Sequence, residues 1–181
     1  MHVIKKDNIE TIYVPEYLKQ ILPYHEGQSV SYLSSGGGTI DAVVKINSYY
    51  STVAACASCE MHREEAIEYT FNVANVYNPF VRIGIDNRPN IFMTIFSPAH
   101  DYKTGSGFDF LTETNIAQPI SNGPRQTCHA SMVLNGKTYN NVLEILNGSD
   151  PGTLSRAYYT VDKGLIGFSY SGGGYIYTLV E

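Results

Sequence analysis

Between Glu65 and Tyr77 the chain alternates: Ile67, Tyr69, Phe71 and Val73 are interleaved with Glu68, Thr70, Asn72 and Ala74. Successive side chains of an extended strand point to opposite faces, so this segment reads as a strand with one face buried and one wet. Val81, Ile83 and Ile85 repeat the pattern. Asn87, Arg88, Pro89 and Asn90 break it as a turn would, and Ile91–Phe96 resumes as an almost continuous apolar run. Composition agrees, because Ile, Tyr, Val, Thr and Phe supply 64 residues against 24 of Ala, Leu and Met, and the first group suits a pleated surface.

The same period two appears at both ends. Gln28 onward carries Val30 and Tyr32 on one side, then a Gly36-Gly37-Gly38 turn and a returning strand over Thr39–Asn47. Near the C-terminus Ser131–Leu134 and Thr138–Leu146 flank Asn135-Gly136, a pair that supplies the two positive-φ positions of a type I′ hairpin. Arg156–Val161, Leu165–Tyr170 and Tyr175–Val180 follow, separated by Asp162-Lys163-Gly164 and Gly172-Gly173-Gly174. Pro15–Leu22, opened by Pro15 and stopped by Pro23, reads as a short helix that must dock on the sheet, being too short to stand alone. Residues 48–64 lack a stripe and read as a loop with helical turns; 97–107 and 112–125 read as long loops. The expectation is a single all-β domain over 1–181: an antiparallel barrel or sandwich of about nine or ten strands with a short N-terminal helix, residues 1–14 forming a flexible arm.

With 181 residues the chain can bury a full core without staples. Its 12 Lys and Arg against 17 Asp and Glu give a net charge of −5, with no basic excess to neutralise phosphates, so nucleic acid is not an expected partner. No run approaches the roughly 20 apolar residues of a membrane helix. The opening MHVIKKDNIETIYV has basic residues but no apolar core behind them, although an export signal already removed would leave the same picture.

Three cysteines form no disulfide framework, and one of them has no intrachain mate. Cys56-x2-Cys59-x2-His62, with Cys128-His129 downstream, has the thiolate and imidazole chemistry of a structural zinc site. Neighbours on a strand face opposite ways, so only one of Cys128 and His129 could complete it. A disulfide between two of the cysteines, or free thiols, fits the same residues. A redox Cys-x-x-Cys needs a βαβ setting, and none is present. No zinc or other cofactor is therefore required. His62, His100 and His129 could be imagined beside a cysteine nucleophile, but no spacing orients them, and there is no G-x-S-x-G elbow, so no catalytic set is placed. Glu60, Glu64, Glu65 and Glu68 read as a solvated face. Tyr49-Tyr50 and Tyr158-Tyr159 should each put one ring inward and one outward; outward rings at Tyr50 and Tyr159, with Asn87, Asn90, Asn140 and Asn141, could hold a glycan or peptide.

Leu22-Pro23-Tyr24 with Gly27–Tyr32, and the closing Tyr139–Val142, Tyr158-Tyr159, Lys163–Phe168 and Tyr175–Leu179, resemble the small cell-envelope lipoproteins of Bacteroidetes-type bacteria. The resemblance implies export, a lipid anchor on an N-terminal cysteine since removed, and a function generally unassigned. Two departures stand: no cysteine precedes Cys56, and Tyr177 sits where a Trp is expected. The expectation is a non-catalytic cell-envelope module, with a small-ligand or glycan-binding β protein and a zinc protein built on Cys56, Cys59 and His62 as the alternatives.

Overall fold

The computed structural model describes residues 9–54, 60–74, 81–85, 90–96, 103–109, 126–146, 154–170 and 174–181. The strands are β1 (Thr11–Ile12), β2 (Ser29–Ser34), β3 (Thr39–Ala54), β4 (Met61–Val73), β5 (Val81–Ile85), β6 (Asn90–Phe96) and β7 (Lys103–Asp109) in the first part of the chain. They continue with β8 (Gln126–Leu134), β9 (Lys137–Leu146), β10 (Leu154–Thr160), β11 (Gly164–Tyr170) and β12 (Ile176–Val180), and the one helix among the described residues is α1 (Glu16–Lys19). All join one sheet in the order β7-β6-β5-β4-β3-β2-β12-β11-β10-β9-β8, with β1 alongside β4. Every pairing along that path is antiparallel; only β1 with β4 is parallel. The expected all-β antiparallel architecture is present. No helix among the described residues is long and apolar enough to cross a membrane.

The sheet is curled into a half-barrel, and one side chain demonstrates it. Tyr24 packs edge-on against Phe71 of β4, ring centroids 4.9 Å apart, and its hydroxyl accepts the Leu165 N–H of β11 at 2.7 Å. Three strands lie between β4 and β11, about 19 Å in a flat sheet at the usual strand spacing. A tyrosine closes that gap only if the sheet wraps around it. Residues 14–24 thus fill the concave face: Val14, Leu18, Leu22 and Tyr24 are buried with Val30, Tyr32, Val44, Phe71, Ile83, Leu143, Tyr159 and Phe168. The segment is fastened at both sides, where Val14 donates its N–H to Glu65 at 2.9 Å and the Tyr159 hydroxyl donates to the Ile21 carbonyl.

Several expectations are corrected. The helix is a single turn, Glu16–Lys19 after Pro15, and the chain continues as tight turns to Leu22. Residues 11–12 pair with Arg63 and Glu64, so this part of the expected arm is tied to the sheet. Residues 48–54 and 61–64, read as a loop, are the distal half of a long β3–β4 hairpin in unbroken register from Ala42↔Val73 to Ala54↔Met61. Lys103–Asp109 is an edge strand and no loop. Of the acidic stretch, Glu65 is buried as the acceptor for Val14; Glu68 meets Arg82 at 3.1 Å, and Glu64 meets His62 at 3.0 Å.

The two tyrosine pairs depart from the one-in, one-out expectation in opposite directions. Tyr49 and Tyr50 are 50% and 52% exposed, whereas Tyr158 and Tyr159 are 5% and 0% exposed. Beyond Val44 no described strand flanks β3 on its β2 side, β5 pairs with β4 only over Ile67–Phe71, and only the two residues of β1 join the end of the hairpin among the described residues. Tyr158 and Tyr159 sit where both faces are covered. Tyr159 belongs to the concave core, and Tyr158 to a second cluster with Leu134, Tyr139, Val142 and Ile166. The cover is the β8–β9 hairpin. At Asn141 the backbone takes φ +51° and the ladder is interrupted at the Ala130–Asn141 position, with the register unchanged on either side, His129↔Val142 and Ser131↔Asn140, and the ribbon folds over beyond it. Its tip then reaches across the sheet: Leu134 lies 3.4 Å from where a Cβ on Gly167 of β11 would stand, and Lys137 donates to the Leu179 carbonyl of β12 at 3.3 Å.

Candidate functional site

The β2–β3 turn and the start of β12 enclose an open cleft of about 330 Å³, lined by Ser34, Gly36, Gly37, Gly38, Thr39, Ile40, Tyr175 and Tyr177. The turn is shaped by glycine, since Gly37 and Gly38 have φ +92° and +84°, a region that side chains resist. It closes through Ser34 N–H to the Gly38 carbonyl and Gly37 N–H to the Ser34 carbonyl, both 3.0 Å. Gly36 serves a different purpose. A Cβ there would stand 2.1 Å from the Tyr175 ring, so the missing side chain lets that ring press close against the turn.

Tyr177, the next residue but one, is stacked on Phe168 at 5.0 Å with ring planes 6° apart, which fixes its orientation. Tyr175 remains half exposed. The site is brought together by β12 pairing with β2, Tyr177 opposite Ser34, and by Ser35 exchanging bonds with Ile176: its N–H donates to the Ile176 carbonyl at 2.8 Å and its Oγ accepts the Ile176 N–H at 3.0 Å. The lining offers hydroxyls, backbone amides and aromatic rings, and none of its residues carries a charge. That chemistry suits a neutral, hydroxylated ligand with an apolar face to lay on a ring.

The residues singled out from sequence are scattered. Tyr50 is exposed on the projecting hairpin, edge-on to Tyr13 at 6.5 Å. It lies 11 residues along β3 from Thr39, about 37 Å from the cleft at the strand's rise per residue. Tyr159 is withdrawn as a surface residue, because its ring is in the core and its hydroxyl is given to Ile21. Asn90 opens β6 opposite Asp109, Asn140 and Asn141 are exposed on β9, and Asn87 lies outside the described residues. Among the described residues, Tyr50 and the asparagines of β6 and β9 therefore lie on separate strands.

Cys56 and Cys59 also lie outside the described residues. His62 is on β4 with Glu64 as its partner. Cys128 and His129 are on β8, with six strands between it and β4 in sheet order. His129 meets the buried Glu144 carboxylate at 2.7 Å, and Arg156 holds the other oxygen at 2.8 Å. Both histidines are thus hydrogen-bonded to glutamates within the sheet, and no group of three metal-ligating residues occurs among the described residues. Burial pushes the Cys128 thiol up, away from the thiolate a nucleophile needs.

Comparison of the chain with protein-family models, with curated proteins and with solved structures found no match.

Proposed function

We propose that the chain is a non-catalytic binding module of the cell envelope that holds a neutral saccharide in the cleft between the Gly36-Gly37-Gly38 turn and Tyr175. The observation that carries this reading is the chemistry of the lining, which combines two tyrosines, Ser34, Thr39 and glycine backbone without a charge. Sugar rings present hydroxyls at their edge and C–H groups on their face, and a seated tyrosine with nearby hydroxyls and amides answers both. The envelope placement rests on the resemblance of the Leu22–Tyr32 and Tyr139–Leu179 segments to exported lipoproteins. An interior pocket is not part of the proposal, since residues 14–24 occupy the concave face.

The test is titration of the intact chain with neutral mono- and oligosaccharides, followed by tyrosine fluorescence and by NMR shifts of the glycine amides. Saturable shifts at Gly36, Gly37 and Gly38, abolished in Tyr175→Ala but present in Tyr50→Ala, are the expected result. Shifts that survive Tyr175→Ala, or none with any saccharide at millimolar concentration, would overturn the proposal.

A further inference from the structure

The open edge of β3 carries a second inference, independent of the cleft. Alternate residues of a strand turn their N–H and C=O to opposite sides. On the side facing β2, Val44 is used, donating to the Gln28 carbonyl at 2.8 Å and accepting from Gly27 at 2.9 Å. Ile46 is used as well, its N–H donating to the Glu26 carboxylate at 2.6 Å. Ser48, Tyr50 and Thr52 are next on that side, and no described strand pairs with them there. Residues 46–54, Ile-Asn-Ser-Tyr-Tyr-Ser-Thr-Val-Ala, contain no charge, no proline and no glycine. Exposed edges ordinarily carry such blocking residues to prevent strand addition, and this one does not.

We infer that this edge is the interface of a two-fold symmetric homodimer, in which β3 pairs antiparallel with β3 of a second copy, centred on Tyr50. The symmetry follows from the groups that no described strand pairs with. Ser48, Tyr50 and Thr52 are evenly spaced about Tyr50, so a two-fold axis there sets Tyr50 opposite Tyr50 and Ser48 opposite Thr52, twice. Aromatic–aromatic and Ser–Thr pairs are favourable cross-strand partners. An uncharged segment in a chain of net charge −5 also lets identical copies approach where they repel least. The side chains to be covered are present on both faces of the ribbon: Tyr13, Tyr49, Tyr50 and Met61 are all at least half exposed. With about 100 Å² still uncovered on each tyrosine, the six tyrosines of two copies and the joined backbones form an interface of the small, weak class, below about 1,200 Å².

The test is sedimentation velocity of the intact chain from 1 to 500 μM, on the order of the range a weak interface requires. The wild type is expected to dimerise within it. Two double variants then read the register, and both keep Thr52→Glu, which faces Arg63 of its own chain. Ser48→Glu with Thr52→Glu sets like charges opposite each other twice and should weaken the dimer on the order of tenfold, whereas Ser48→Lys with Thr52→Glu should hold within about threefold of wild type. Far-UV circular dichroism verifies that both variants keep the sheet. A wild type that stays monomeric at 500 μM would overturn the inference and leave the edge to a strand of a different protein. Equal affinities for the two double variants would overturn it by removing the Tyr50-centred register.

Discussion

The β3–β4 and β8–β9 hairpins are built from similar material and end in opposite situations. Both run past the strands they pair with, and both carry tyrosine and β-branched residues. The β8–β9 ribbon has a positive φ and a gap in its ladder at Asn141, bends over β10 and β11, and buries Leu134, Tyr139 and Val142 against Tyr158 and Ile166. The β3–β4 ribbon keeps an uninterrupted register over 13 pairs, does not turn back, and leaves Tyr49 and Tyr50 uncovered on both of its faces. One interrupted position, where Asn141 takes a positive φ, thus distinguishes the ribbon that completes its own core from the ribbon that offers a surface. Local sequence decides which hairpin forms; the bend of the ribbon decides whom it packs against.

The comparison breaks most severely at high pH. Burial raises the hydroxyls of Tyr24, Tyr32 and Tyr159 above their ordinary value, near 10 in an unfolded chain. The fold therefore favours their neutral form, and the stability this contributes is present below about pH 10 and lost as the pH climbs beyond it. Tyrosinate absorbance from these residues should rise together with loss of the β circular dichroism. Full ionisation of all 15 tyrosines with the spectrum intact would show that the concave face is wet.

A smaller effect contrasts the two tyrosine pairs directly. Tyr158→Ala should cost about 3 kcal/mol in urea unfolding, as removal of a buried ring does, while Tyr49→Ala should stay within about 0.5 kcal/mol. Similar losses at the two positions would mean that the projecting ribbon is covered in solution.

Next in size is Gly167→Ala. Its Cβ would stand 2.7 Å from the Tyr177 carbonyl oxygen, a backbone atom in the β11–β12 ladder, and 3.4 Å from Leu134. Neither neighbour can retreat without loosening the folded-over hairpin, and a loss of about 1–3 kcal/mol is expected in thermal melts. The smallest change sharpens the role of the positive φ at Asn141. Asn141→Gly should be neutral and Asn141→Val should lose about 1 kcal/mol, because a branched residue resists φ +51°. Amide exchange at Leu134 and Tyr139 should accelerate in the valine variant alone.

What the sequence disclosed follows from where burial is one-sided. Over Glu65–Val73 one face is inside and one is partly wet, so the alternation is visible and the strand is found. Asn135-Gly136 states its turn locally, and the observed φ values, +48° and +81°, are those of the expected hairpin. Residues 48–54 are exposed almost throughout, so no apolar period marks them as a strand. Lys103–Asp109 is rich in glycine and serine and reads as a loop for the same lack of pattern. Tyr158 is buried by a ribbon that arrives by bending, which no window of sequence around Tyr158 contains. The cleft was hidden for a related reason. Gly36 and Tyr175 each look like ordinary turn and strand residues, and only the β2–β12 pairing, across more than 140 residues, seats one on the other.

That same pairing gives the molecule an unusual connectivity. Apart from β1, the strands from β2 to β7 pair in order of synthesis, and so do those from β8 to β12; the single out-of-order neighbour is β2 with β12. The sheet is therefore a plain meander whose ends have been relocated to its middle. A chain opened between β7 and β8 and joined from Glu181 to residue 9 would make every sheet neighbour along the path a neighbour in sequence. Such a rewired chain would have fewer distant contacts to find and would fold faster than the natural one. In the natural order one edge of β2 stays without its strand partner until β12 has been made.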